Sequence, residues 1–355
     1  MAPEEPGAGA GHFQTLEYPS DDTIIIHDQI YGDHTITEAV LVALLKSPSV
    51  IRLSRVGQHG ITSFVGLTPN VTRFEHSVGA MLVVRLVGGS VPEQIVGLLH
   101  DISHTAFSHV IDWAMTEPGE PSFHEAQKMR FVATTELPGL LTEHGFQVEG
   151  EGSVFDEESF PLVEMPAPHL CADRFDYGIR DAVAFGKIKL ADARRIVSSL
   201  RVHPDAESPK RLLVLEDIAV AHTLAKGYMA ADREVWGNPA HGLMYQQTGE
   251  VIGNAVRRGV IPEEQLWKLS DAEFWEALRE AADADGKEVM ARLERDGLPS
   301  EEGLKLLPMC KIRTIDPDIR QGKPGQGEAF PLSLVYPRWM DERLEYIAER
   351  NALRA

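Results

Sequence analysis

Five residues carry the first chemical signal in this chain: His76, the adjacent pair His100-Asp101, His104 and, far downstream, Asp173. Imidazole nitrogens and carboxylate oxygens together suit borderline divalent ions such as Zn, Mn, Fe, Co or Ni. Neither group belongs in apolar, helix-like sequence unless something satisfies it. At 3.6 residues per turn, His100 and His104 are expected on one helix face with Asp101 turned by about 100°, so that all three line one cavity. His76 is expected early in a helix whose apolar stripe runs through Phe74, Val78, Met81 and Leu82. A single histidine on such a face is ordinarily a satisfied core or surface residue. The His-Asp pair behind the apolar run 95–99, with His76 ahead of it, favours a metal site.

The elements that must position these groups are mostly helices. After a short strand at 23–27 and a helix at 36–46, Gly57, Gly60 and Gly66 suggest a hairpin-like stretch. Helices are expected at about 74–87, 92–101, 104–115, 123–136, 168–185, 191–198 and 214–236. The acidic, proline-containing stretch 149–168 reads as a loop over the site or a linker. Two further helices are expected within 262–296, the second opened by a Ser270/Glu273 capping box. Strand character at 309–317 and 332–336 and a last helix at 339–352 complete the pattern, and there is no internal repeat.

The order of motifs resembles a known family. Asp28-Gln29-Ile30-Tyr31-Gly32, Gln58-His59-Gly60, Arg73-Phe74-Glu75-His76-Ser77, His100-Asp101-Ile102-Ser103-His104, Phe123-His124-Glu125 and Asp173-Arg174-Phe175-Asp176-Tyr177 are similar to the HD-domain phosphohydrolase superfamily. Within it they resemble the deoxynucleoside triphosphate triphosphohydrolase branch, the SAM and HD domain-containing proteins, over roughly residues 22–240. The resemblance implies a mostly α HD-domain helical bundle with a few short β-strands: a catalytic core at 22–245 and a small α+β C-terminal lobe at 246–355. It implies that His76, His100, Asp101 and Asp173 bind one divalent ion (Mn, Fe, Mg, Zn, Co or Ni). His104 and His124 become an acid-base pair, Asp112 orients a catalytic histidine, and Arg73 neutralises phosphoryl charge. Gln58, His59, Arg73, Arg174, Tyr177 and Asp181 become the substrate side of the site, and homo-oligomers are expected. The implied reaction is hydrolysis of a (d)NTP to nucleoside and triphosphate, through attack of metal-activated water on the α-phosphorus.

Two departures leave alternatives open. His59 stands where the branch carries a small apolar residue against the ribose, which leaves the choice between deoxyribose and ribose open. Residues 228–239 lack the cations that hold outer phosphates in the branch, leaving mainly Lys226 and Arg233 nearby. A triphosphate brings close to four negative charges, so a substrate with fewer phosphates stays open. The same residues also match the ligand order of two-metal HD proteins, phosphodiesterases, nucleotidases or di-iron oxygenases, with His104 and His124 as second-site ligands. A nucleotide sensor without turnover is the remaining alternative.

The 355 residues can bury a substantial core. A net charge of -20 argues against an extended nucleic-acid surface, whereas a small phosphorylated substrate needs only a local pocket. Arg52, Arg55, Arg73, Arg174 and Arg180 are candidates for that pocket, with ordinary solvated surface as the blander reading of Arg52, Arg55 and Arg180. Two cysteines give no disulfide framework, which suggests a reducing, cytoplasmic setting with the nucleus still open. Residues 1–21 read as a disordered tail without signal-peptide character, and no apolar run reaches the roughly 20 residues of a membrane span. Tyr228, Trp236 and Tyr245 could stack on a base, although aromatics at helical spacing are ordinarily core. His109, His203, His222 and His241 read the same way, and His144 as a helix end before a glycine.

Overall fold

A computed structural model describes residues 13–321 and 327–354. Of the tail expected at 1–21, residues 1–12 lie outside the described residues, and Gln14–Ser20 is strand β1 rather than tail. It pairs with β2 (Thr23–Asp28), which pairs with β3 (Gly32–Ile36), in an antiparallel meander. In β2 the side chains alternate, so Ile24 and Ile26 are fully buried while Thr23, Ile25 and His27 face outward. Each such isoleucine contributes about 1.5–3 kcal/mol of burial. Asp28 ends the strand, accepting from the amides of Ile30 and Tyr31 at 2.7 and 2.9 Å.

Behind the meander lies a bundle whose centre is the Arg73–Leu86 helix. Thr72 and Glu75 form a capping box at its start, and Glu75 also accepts from the Phe13 amide, tying β1 to the bundle. Two glycines let its neighbours approach. A Cβ on Gly97, in the Val91–Leu99 helix, would stand 3.2 Å from the Met81 nitrogen, and one on Gly79 would stand 2.0 Å from Asp176 Oδ1. The Ala172–Ala184 helix packs on the other side and is covered in turn by the Ile218–Ala231 helix.

Several expected elements are replaced. The helix expected over 104–115 is reduced to Val110–Met115, because residues 101–109 turn back on themselves. Phe107 and Ser108 there adopt left-handed backbone at φ 60 and 49°. The Gly-rich stretch holds a short helix, Gly60–Phe64, and the only contact of hairpin type is an isolated bridge between Gly57 and Thr72. The 214–236 helix opens as the strand Leu212–Leu215, runs as Ile218–Ala231 and ends in a π turn at Asp232–Trp236. The strand expected at 332–336 is the helical turn Leu332–Val335, and that of 309–317 falls instead at Asp318–Gln321.

A second sheet runs β4 (Leu200–His203), β5 (Leu212–Leu215), β6 (Asp318–Gln321), β7 (Glu328–Pro331), with β5 and β6 parallel and the other pairs antiparallel. The chain is therefore mostly α with two small sheets. Its last hundred residues are knitted to the rest. The Pro239–Arg257 helix runs straight across residue 245, and β6 and β7 extend a sheet begun by β4 and β5. Among the described residues no helix is long and apolar enough to cross a membrane.

Candidate metal centre

Three electron-rich atoms meet at the bundle centre. His76 Nε2 lies 3.1 Å from His100 Nε2 and 3.0 Å from Asp173 Oδ1, which is 3.4 Å from His100 Nε2. The other ring nitrogens identify the tautomers. His76 Nδ1 faces Asp176 Oδ2 at 2.9 Å and His100 Nδ1 faces the Gly97 carbonyl at 2.8 Å. Both partners only accept, so each Nδ1 carries a proton, and each Nε2 is the nitrogen left to face the shared space, where a bound ion would take the place of a proton. Neighbouring ligands about 2.1 Å from one ion stand about 3.0 Å apart at right angles, the separation seen here. These residues fit a divalent ion. The same field favours positive charge on His76: burial opposes it, but hydrogen bonds to Asp173 and Asp176 and the Asp101 charge raise its pKa to about 10. Asp173, despite burial, is held well below the carboxylate range by His100 and His76.

Asp176 was not among the expected site residues. It joins Arg180, Asp28 and Tyr31 in a fully buried network: Arg180 Nη2 donates to Asp176 at 2.7 Å and Asp28 at 3.1 Å, and the Tyr31 hydroxyl donates to Asp176 at 2.8 Å. The solvated-surface reading of Arg180 is thereby corrected, since a guanidinium with 0% exposure is the counter-ion of two carboxylates. Asp176 lies three residues after Asp173, so one helix face supplies both a ligand and the partner that aims a second ligand.

Asp101 stands between this group and another. Its carboxylate is 3.5 Å from His76 and 3.8 Å from His100, and also 3.3 Å from His104 and 3.7 Å from His124. His76, His100 and Asp173 thus form one possible ligand group, and Asp101, His104 and His124 another. The Val91–Leu99 helix ends before His100, so His100 and His104 do not share a helix face as expected; the turn after it brings them together. The His104 and His124 rings stack with centroids 3.7 Å apart. Burial, then Arg73, pushes His104 down to about 3, and burial with His104 beside it pushes His124 well down. Arg73 donates to Asp101 at 2.6 Å and, from Nε, to Ser108 at 3.0 Å. Asp112 receives His109 Nδ1 at 2.9 Å and the Phe123 amide at 2.8 Å, so the histidine that it orients is His109, whose ring contacts those of both His104 and His124.

The loop carrying His104 is clamped from far away in sequence. Arg52 donates to the Ile102 and His104 carbonyls at 2.6 and 2.7 Å, which corrects its reading as solvated surface. Trp267 donates to the Ser103 carbonyl at 2.8 Å, and the buried Asp271 accepts from Gly57 and Phe107 amides, each at 2.8 Å. Burial raises the Asp271 carboxyl to about 6.

The expected substrate residues divide. Arg174 is occupied by Glu164 at 3.3 Å and by the Met165 and His169 carbonyls, which fasten the 149–168 loop beside Asp173. Tyr177 hydrogen-bonds Tyr228, and Trp236 lies edge-on to both rings. Asp181 accepts from Trp236 Nε1 at 2.9 Å through Oδ2, while its Oδ1 lies 3.3 Å from His59 Nε2. Arg313, from the C-terminal part, sits near enough to Tyr177, Tyr228 and Tyr245 to oppose the rise that burial gives their pKa values.

No protein-family model matches the chain. The metal-dependent phosphohydrolase cns2 of Cordyceps militaris is 51% identical over 342 residues, 96% of this chain and 97% of that protein. The deoxynucleoside triphosphate triphosphohydrolase SAMHD1 of Danio rerio is 25% identical over 226 residues, half of this chain and 36% of that one. A crystal structure of a phosphohydrolase from Bacteroides thetaiotaomicron shares the fold, with a TM-score of 0.56 and 21% identity over 77% of each chain. The chain belongs to the HD-domain phosphohydrolase superfamily, and within it to the metal-dependent phosphohydrolases.

Proposed function

We propose that this phosphohydrolase cleaves the phosphate ester of a nucleotide, with the phosphate at the His76–His100–Asp173 group and the sugar beyond Tyr177. The observation that carries this reading is one helix face: Asp173, Tyr177 and Asp181 follow at one-turn intervals, leading from the metal group to a set of uncommitted polar atoms. A divalent ion held by His76, His100, Asp173 and Asp101 would polarise a phosphoryl oxygen and lower the pKa of water toward 7. Arg73 offsets the charge of Asp101 and of the phosphoryl group beside it. His104 and His124, held neutral by burial, relay to the leaving oxygen a proton taken from the attacking water, and the half-exposed His109, anchored by Asp112, links them to solvent.

The commitment of nearby cations supports a substrate with one phosphate. Lys226 pairs with Glu342 at 3.2 Å, Arg233 with Glu349, Arg174 with Glu164, and Arg180 lies within its buried network. None of these is left to cradle outer phosphates. A second reading, (d)NTP cleavage to nucleoside and triphosphate, is favoured by the likeness to the SAMHD1 protein over half the chain. Product analysis decides between them, using Mn-loaded and Fe-loaded protein with nucleoside monophosphates, NTPs and dNTPs. Orthophosphate from monophosphates is expected; intact tripolyphosphate would establish the second reading, and no product from any nucleotide would overturn both. Metal content measured alongside tests the one-ion reading, because two ions per chain would make Asp101, His104 and His124 a second site.

A further inference from the structure

Asp271 is a buried carboxylate, and among the described residues no cation is paired with it. Burial opposes its charge; what favours the ionised form is the pair of amides it holds and, from further off, the charge of Arg73. Its two oxygens are spent on two separate loops, Oδ1 on the Phe107 amide and Oδ2 on the Gly57 amide, each at 2.8 Å. The helix that it opens, Asp271–Ala281, also sets Phe274 and Trp275 against the Phe107 ring, with centroids 6.2 and 5.6 Å away. Both loops lead on to Arg73. Ser108, next after Phe107, donates to the Gly57 carbonyl at 2.7 Å and accepts from Arg73 Nε at 3.0 Å. Val56, just before Gly57, accepts from the Arg73 amide at 2.9 Å. Arg73 Nη1 then donates to Asp101 Oδ2 at 2.6 Å. A continuous run of hydrogen bonds and adjoining residues therefore joins Asp271 to the carboxylate that stands between the two ligand groups.

A buried carboxylate without a counter-ion is costly wherever a neutral side chain could serve. Here a neutral amide cannot, because each oxygen faces an N–H, and an amide would turn its own NH2 on one of them. The left-handed backbone of Phe107 and Ser108, strained for residues that carry a Cβ, needs such an anchor. We propose that Asp271 is a positioning residue for hydrolysis: by fixing the Gly57 and Phe107 loops it aims Ser108, and through Ser108 the guanidinium of Arg73, at Asp101. The C-terminal part of the chain thereby sets the geometry of a metal centre built by the first half. This inference rests on the reading of Asp101 as a ligand given above.

The test uses the full chain, with Mn affinity read by chelator titration and kcat read on p-nitrophenyl phosphate at saturating Mn. Asp271→Asn should weaken Mn binding by about tenfold and lower kcat by about 10–100-fold. Ser108→Ala should act in the same direction, and the double variant should be no worse than the worse single one, because both break one path. Asp283→Ala, which removes the cap that accepts from the Gly286 amide at 2.9 Å, controls for lost stability alone and should leave both readouts unchanged. Unchanged affinity with a kcat within about twofold of wild type in Asp271→Asn, or losses that multiply in the double variant, would overturn the proposal. If Asp271→Asn does not fold, Asp271→Ser, whose hydroxyl still accepts one amide, takes its place under the same expectations. Asp101→Asn tests the ligand reading separately. If it leaves Mn affinity unchanged, Asp101 is no ligand, and Asp271 is judged on kcat and the double variant alone.

Discussion

The two ends of the Ala172–Ala184 helix face polar pockets built from the same residue types, and the pockets are finished differently. At Asp173 the outer nitrogen of each ligand histidine is bound to an acceptor, Asp176 for His76 and the Gly97 carbonyl for His100, so the inner nitrogens are the ones aimed at the shared space. At Asp181 the His59 ring packs on Phe185 and the carboxylate accepts from Trp236, but His59 Nε2 and Asp181 Oδ1, 3.3 Å apart, make no aligned hydrogen bond. The contrast separates two kinds of preorganisation. A cation needs lone pairs held at fixed separation against their own repulsion, which takes a buried counter-structure. A neutral polar group carries its own donor or acceptor, so a pocket lined by such groups needs only shape and unspent valence.

The largest effect should come from breaking the first pocket outright. His100→Ala should abolish bound metal by elemental analysis and lower turnover by more than about 1000-fold, because ligand and catalytic centre are one. Retained metal with unchanged rate would remove His100 from the centre. Next, Arg180→Met leaves Asp28 and Asp176 buried without their cation, and urea unfolding should show a loss of about 3–5 kcal/mol. A loss below about 1 kcal/mol would mean that the two carboxylates find other partners.

The second pocket is sharpened by pH. Burial, with His59 second, pushes His241 down to about 4, so the folded chain binds fewer protons there than the unfolded chain. The stability this neutral ring supports is complete above its ordinary value of 6.5 and is lost as pH falls toward 4. Between about pH 7 and about pH 5, the wild-type chain should therefore lose on the order of 2 kcal/mol more than His241→Gln, a difference in which the other histidines cancel. Equal slopes would show that His241 is solvated or protonated in the fold. The smallest change is the outer partner of the first pocket: Asp176→Asn should weaken metal binding by about 10–100-fold in a chelator titration while the ligand set stays intact.

Legibility in the sequence followed chemical type. His76, His100, Asp101 and Asp173 announce themselves because imidazole and carboxylate amid apolar residues have few other reasons to be there. Asp176 carries a usable signal, an acid one turn from a ligand on the same helix. Arg180 reads from sequence as a pocket candidate or as solvated surface, because charge in a helix is normally solvated, and only the packing of β2 against the bundle brings Asp28 to it. Trp267 and Asp271 gave no local signal, since what they hold lies 164 or 214 residues away. The helix expected through 104–115 failed because a tertiary clamp, with Phe107 and Ser108 in left-handed backbone, outweighed helical periodicity.

By itself the sequence determined the mostly helical class, the superfamily and the metal-binding residue types, because periodicity and ligand chemistry are local properties written into residue identity. Tertiary structure alone decided which nitrogen of each histidine faces the shared space, that Asp101 stands between two ligand groups, that Asp112 holds His109, and that His59 and Asp181 meet without an aligned hydrogen bond. Those outcomes depend on where a neighbouring donor or acceptor arrives from another element, and no residue spacing encodes that arrival.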